Sequence, residues 1–161
     1  MKDNKYLLII DLQKQFKDQN SEYEKCLHYI KTSNYSKIFA TIFQNNQYIN
    51  SNYITNLDWK DCINSSFNDI EFNIDKSHIY YKNGYADNIV DFLKNNNINH
   101  EDQLDIIGCD LDACINAICF SLWDADYTNF KVLTEYCYST ANISKQTIIE
   151  ILKRNFGKCI M

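Results

Sequence analysis

Three residues of this chain have types and positions that could together make and use a nucleophilic thiol: Asp11, Lys82 and Cys114. Asp11 follows the apolar run Tyr6–Ile10, Lys82 closes the run His78–Lys82, and Cys114 comes shortly after the run Leu104–Gly108. In DIIGCDLDACINAIC, Asp105–Cys119, the apolar run ends in Gly108, an acidic turn follows, and Cys114 opens a helix-like pattern. A thiol at such a strand-to-helix turn lies near backbone N–H groups that no intrahelical carbonyl satisfies. These favour a thiolate and can bind an oxyanion. A nearby ammonium favours the thiolate further, and a carboxylate can take the thiol proton.

Each residue alone has a bland reading. An Asp after a strand often caps the next turn, a Lys ending a strand is usually a solvated charge, and a Cys in an apolar helix is usually a small core residue. The elements around them bring the three together. Strand-type runs at Tyr6–Ile10, Lys37–Phe43, His78–Lys82, Leu104–Gly108 and Lys131–Tyr136 alternate with helix-compatible segments at Asp18–Thr32, Ala86–Asn95, Leu111–Trp123 and Ser144–Asn155. Ser144 is a reasonable N-cap, and Lys158–Met161 reads as a last edge strand. The polar stretch Gln44–Ser77 shows little periodicity; so long a loop in a compact domain has a functional reason or hides short elements. Strands separated by helices imply right-handed crossovers and a mainly parallel sheet covered on both faces. Ligands of such sheets bind beyond the carboxyl ends of the strands, the rim on which all three residues fall.

Composition narrows the classes. The 161 residues are most simply one domain, residues 1–161, with 45% hydrophobic and 23% charged residues. A formal net charge of -5 argues against nucleic acid or an anionic membrane as partner. No apolar run approaches a membrane span of about 20 residues, and the run at Tyr6–Ile10 is too short for a secretory signal. Seven cysteines in no zinc-like spacing, with no histidine near the group Cys109, Cys114 and Cys119, fit a reduced, cytoplasmic protein. His28, His78 and His100 are scattered and read as surface or satisfied core residues.

The same residues carry a resemblance. LLIIDLQKQF, Leu7–Phe16, resembles the D-x-Q-x-x-F opening of the isochorismatase-like cysteine hydrolases, the superfamily that includes nicotinamidases and carbamoylsarcosine amidases. YYKNGYAD, Tyr80–Asp87, resembles that family's lysine segment, and GCDLDAC, Gly108–Cys114, is similar to its G-x-x-T-D-x-C nucleophile turn. The three motifs stand in family order and span nearly the whole chain.

The resemblance implies a three-layer α/β/α domain with a mainly parallel sheet of about six strands. It implies a triad of Cys114, Asp11 and Lys82, with an oxyanion held by the backbone N–H groups of Asp110 and Cys114 after a cis Cys109–Asp110 peptide. Phe16 and Tyr85 match the family's aromatic pocket walls, and Trp59, in NLDWKDC, is similar to a loop tryptophan of small members. The implied activity is hydrolysis of a C–N amide bond of a small molecule through a Cys thioester. Two alternatives stay open: vinyl-ether hydrolysis of the isochorismatase type, with Asp as the acid, and a non-catalytic relative that binds a small molecule or a protein. A homodimer or homotetramer is expected. No cofactor is expected, and no metal, because Thr41–Asn50 (TIFQNNQYIN) lacks the D-x-H of the metal-binding nicotinamidases. Leu111 departs from the family's usual Thr.

Overall fold

The computed structural model describes residues 5–45 and 62–161. The apolar runs form five strands among these residues: β1 (Lys5–Ile10), β2 (Lys37–Phe43), β3 (Ile79–Lys82), β4 (Gln103–Gly108) and β5 (Phe130–Cys137). All are parallel, in the order β3-β2-β1-β4-β5. Among the described residues four helices accompany them: α1 (Glu22–Thr32), α2 (Ile89–Asn95), α3 (Cys114–Asp124) and α4 (Lys145–Phe156).

The unbroken apolar character of β1 follows from burial on both faces. Tyr6, Leu8 and Ile10 join one core cluster, while Leu7 and Ile9 join the other. The first cluster takes in Ile89 and Leu93 of α2, Ile115, Ile118 and Leu122 of α3, and Ile148, Leu152 and Phe156 of α4. The second is closed by Tyr23, Cys26, Leu27 and Ile30 of α1, helped by Ile70 and Phe72. Each fully buried aliphatic side chain contributes about 1.5–3 kcal/mol, so the sheet centre holds the layers together. The result is the expected α/β/α arrangement.

Element ends differ from the sequence reading for local reasons. Asp18 stays outside α1 and accepts the amides of Asn20, Glu22 and Tyr23 (2.8, 3.2 and 2.8 Å), so it caps the helix from the preceding loop. Helix α3 starts at Cys114 because Asp110–Ala113 are consumed by the turn. Ser144 occupies the N-cap position of α4, but its side chain makes no capping bond. The expected sixth strand shrinks to one parallel bridge, Val132 to Ile160, because a 3₁₀ turn at Gly157–Cys159 takes up most of the remaining chain. The described part of the 44–77 stretch contains two more 3₁₀ turns, Phe67–Asp69 and Lys76–His78, each begun by a capping side chain, Ser66 and Asp75.

The strand order places β1 and β4 side by side at the point where the chain reverses its direction of progress across the sheet. A crevice opens at such a point beyond the carboxyl ends. Gly108 shapes its floor. Paired with Ile10, it has φ of 117°, and a Cβ built there would lie 2.1 Å from the Ile10 carbonyl oxygen. Gly108→Ala should therefore destabilise the protein by roughly 3 kcal/mol or more, read as a lowered urea midpoint with an unchanged slope.

Candidate active site

Lys82 is the last residue of β3, two strands away from β1. Strands about 4.8 Å apart put that gap near 10 Å, which only a long side chain can cross. Its ammonium passes over the ring of Phe43, its register partner on β2, at 5.0 Å from the centroid. It then reaches Asp11 Oδ2 at 2.7 Å. It also donates to the Gly84 carbonyl at 2.9 Å and to Cys114 Sγ at 3.2 Å, so the buried charge has one ion-pair partner and two hydrogen-bond acceptors. Lys82, Asp11 and Cys114 are 0%, 1% and 4% exposed. Burial pulls the ammonium pKa down, but Asp11 and Cys114 outweigh it, and the net direction is upward. The lysine stays charged.

The Cys114 thiol is pushed well above its ordinary value. Burial is the largest cause, Asp11 adds to it through charge and a hydrogen bond, and Lys82 opposes. The sequence reading weighed the lysine's pull toward a thiolate; burial and the carboxylate win. At rest the sulfur keeps its proton.

Asp11 leaves β1 with φ of 48°, a conformation few non-glycine residues adopt. Thr41 on β2 holds it there: its Oγ1 donates to Asp11 Oδ1 at 2.6 Å and accepts the Asp11 N–H at 3.1 Å. Gln13, fully buried, fixes the end of β2 by accepting the Phe43 amide at 2.6 Å and donating to the Phe43 carbonyl at 3.2 Å and Ser65 Oγ at 3.0 Å.

The turn before Cys114 has a cis Cys109–Asp110 peptide, as the resemblance implied. The Asp110 carboxylate accepts from the amide and hydroxyl of Thr140 at 2.8 and 2.7 Å, and its carbonyl accepts the amides of Ala113 and Ile115. Ser139 donates to the Asp112 carboxylate. Among the described residues, the amides of Asp110 and Cys114 meet no acceptor. Two N–H groups of the nucleophile turn thus have no acceptor among the described residues, an arrangement that suits a developing oxyanion.

Solved structures share this architecture. A pyrazinamidase/nicotinamidase from Streptococcus mutans superposes with a TM-score of 0.70 at 17% identity, covering 98% of this chain and 99% of that one. An isochorismatase-like hydrolase from Alkaliphilus metalliredigens gives 0.66 at 12% identity, over 93% and 91% of the two chains. This chain has the isochorismatase-like hydrolase fold. A pyrazinamidase from Pyrococcus horikoshii, in complex with zinc, gives 0.67 at 14% identity over 98% and 97%. At the level of sequence, no protein-family model and no curated protein matches.

The zinc of that isochorismatase-like neighbour prompts a test of the donor set here. Among the described residues no group of three His, Cys, Asp or Glu side chains could hold a metal. His28 and His100 are exposed, and His78 packs its ring 5.0 Å from that of Phe39. The described residues do not fit a zinc site.

Of the aromatic residues singled out, Phe16 is buried with its ring 6.3 Å from Phe43. Tyr85 is 40% exposed and, with Asp112, Ala113, Asn116, Ala117 and Phe120, lines a cleft of about 450 Å³ at the start of α3. Trp59 lies outside the described residues. Leu111, in the place of the family's Thr, is fully buried against Cys114 and Ile115, with its amide held by the Tyr138 carbonyl at 2.8 Å. Cys109 belongs to the core cluster on the α1 face and donates to the Asp11 carbonyl at 3.3 Å, so it does not compete with Cys114.

Sequence reasoning missed Thr41 and the role of Gln13. The signal was present in KIFATIF, where one hydroxyl interrupts a buried apolar strand.

Two measurements test the electrostatics. Lys82→Met leaves the buried Asp11 carboxylate unpaired and should cost about 3–5 kcal/mol, while the Asp11→Asn, Lys82→Met double variant should recover most of it in urea unfolding. The thiols of Cys26, Cys109, Cys114, Cys119 and Cys137 are all pushed up, first by burial, Cys26 to about 12. The unfolded chain releases these protons from about pH 8.5–9 upward while the native state keeps them. The stability these groups confer is therefore complete below that range and lost above it, by up to about 1.4 kcal/mol per thiol per pH unit. Thermal unfolding followed from pH 7 to 11 should show that decline.

Proposed function

We propose that this chain is a metal-independent cysteine hydrolase that cleaves the C–N bond of a small-molecule amide. The observation that carries the reading is a single buried ammonium in contact with both a carboxylate and a thiol, Lys82 with Asp11 and Cys114. The nicotinamidases and isochorismatase-like hydrolases that share the fold support a hydrolase, and the free amides of Asp110 and Cys114 support acyl chemistry.

In this reading Asp11 takes the Cys114 proton as the sulfur attacks the amide carbon, so deprotonation accompanies attack instead of preceding it. The C–S bond forms, and the carbonyl electrons move to an oxygen facing the amides of Asp110 and Cys114. Collapse breaks the C–N bond, the leaving nitrogen takes the proton from Asp11, and a thioester remains on Cys114. Water then gives a proton to Asp11 and attacks the thioester, and the sulfur leaves with that proton to restore the thiol. Lys82 keeps its charge throughout and holds Asp11 against the sulfur. Tyr85 forms one wall of the cleft that takes the substrate, and Phe16, packed on Phe43, backs the pocket from the core. The reading extends to a cytoplasmic homodimer or homotetramer, in which a second copy would cover Phe120 and Trp123, exposed on α3.

A panel of small amides that includes nicotinamide, read by ammonia release and by intact mass, tests this. A turned-over substrate should leave an acyl adduct on Cys114. Cys114→Ser should abolish turnover, and Asp11→Asn should lower it by roughly 10²–10⁴-fold. Turnover of a vinyl ether that survives Cys114→Ser and is lost in Asp11→Asn would point to vinyl-ether hydrolysis instead. Neither turnover nor adduct with any amide would leave a binding protein.

A further inference from the structure

The Asp11 carboxylate has two oxygens, and the side chains around it treat them differently. Oδ2 faces the Lys82 ammonium at 2.7 Å. Oδ1 accepts the Thr41 hydroxyl at 2.6 Å. That hydroxyl has one proton to give, and its direction is dictated by the backbone. The Asp11 N–H, which can only donate, points at the same Oγ1 from 3.1 Å and occupies a lone pair. The remaining proton is thus free to turn to Oδ1. Thr41 therefore grips Asp11 at two points, backbone and carboxylate, from a neighbouring strand.

Thr41 is 1% exposed, so water does not compete for these bonds. The strand that carries it is fixed from both sides. β2 pairs with β1 through Ile9 and Ala40 and with β3 through Thr41 and Tyr80, and the Gln13 side chain locks the next turn of backbone at Phe43. A carboxylate at the end of a strand, with φ of 48°, would otherwise be free to rotate about χ1 and offer either oxygen.

We propose that Thr41 is a positioning residue of the reaction: it ties up Oδ1 so that Oδ2, beside Lys82, receives the Cys114 proton. The inference rests on Asp11 acting as the base of the proposed hydrolase. It assigns Thr41 no contact with substrate.

The test compares Thr41→Val, which keeps the branched shape without the hydroxyl, with Thr41→Ser, which keeps the hydroxyl. In the full chain, Thr41→Val should lower kcat by about 10–100-fold with KM unchanged, and Thr41→Ser should recover most of the loss. A purely structural role would move both variants with their melting temperatures and would not separate Val from Ser. A second readout needs no substrate: the rate at which iodoacetamide alkylates Cys114, located by peptide mass. That rate should fall in Thr41→Val and return in Thr41→Ser. Equal alkylation rates in wild type and Thr41→Val, or equal losses in Val and Ser, would overturn the proposal. An absence of turnover in the wild type would instead count against the hydrolase reading and leave the alkylation result to decide the role of Thr41.

Discussion

A lysine ammonium with no exposed surface is the constraint on which the rest of this structure depends. Taking such a charge out of water costs several kcal/mol even after relaxation, and the fold returns that energy only if every donor finds an acceptor. Lys82 finds a carboxylate, a carbonyl and a thiol. Each of those partners comes from a different part of the chain, so one ammonium sets the relative positions of β1, β3 and the start of α3. The ring of Phe43 fills the space between, presenting its face to the charge.

Those positions are available because the sheet is parallel and reverses its winding beside β1. Every strand then delivers its carboxyl end to the same rim, and the crevice between β1 and β4 admits the turn that carries Cys114. Gly108 allows that turn to pass close over the Ile10 carbonyl, where no side chain has room. Thr140 and Ser139, after β5, hold the two carboxylates of the turn through hydrogen bonds. The same burial that concentrates these charges also keeps the Cys114 proton in place. In the proposed mechanism the base must therefore take that proton during attack, because no standing thiolate is there to attack.

Much of this was legible in the residues. Apolar runs of four to eight residues, alternating with helical spacing, specify a covered parallel sheet, and strand polarity alone puts Asp11, Lys82 and Cys114 at one rim. Element ends were less legible. Asp18 has the right spacing for a helix but serves as a cap from outside it, and Lys158–Met161 has strand-like residues but too little chain left after the 3₁₀ turn to make more than a bridge. These outcomes depend on where neighbouring backbone stands, which periodicity does not encode.

Fold class and the identities of the three side chains can be read from residue order alone, because burial patterns and residue chemistry are local properties. Only the tertiary structure decided their electrostatic state. Lys82 remains charged and Cys114 remains a thiol because of mutual distances and shared exclusion from water, and both are set by residues as far apart in the chain as Asp11 and Cys114. Thr41 belongs to the same category. Thirty positions from Asp11 along the chain, it meets that residue only because β1 and β2 lie side by side.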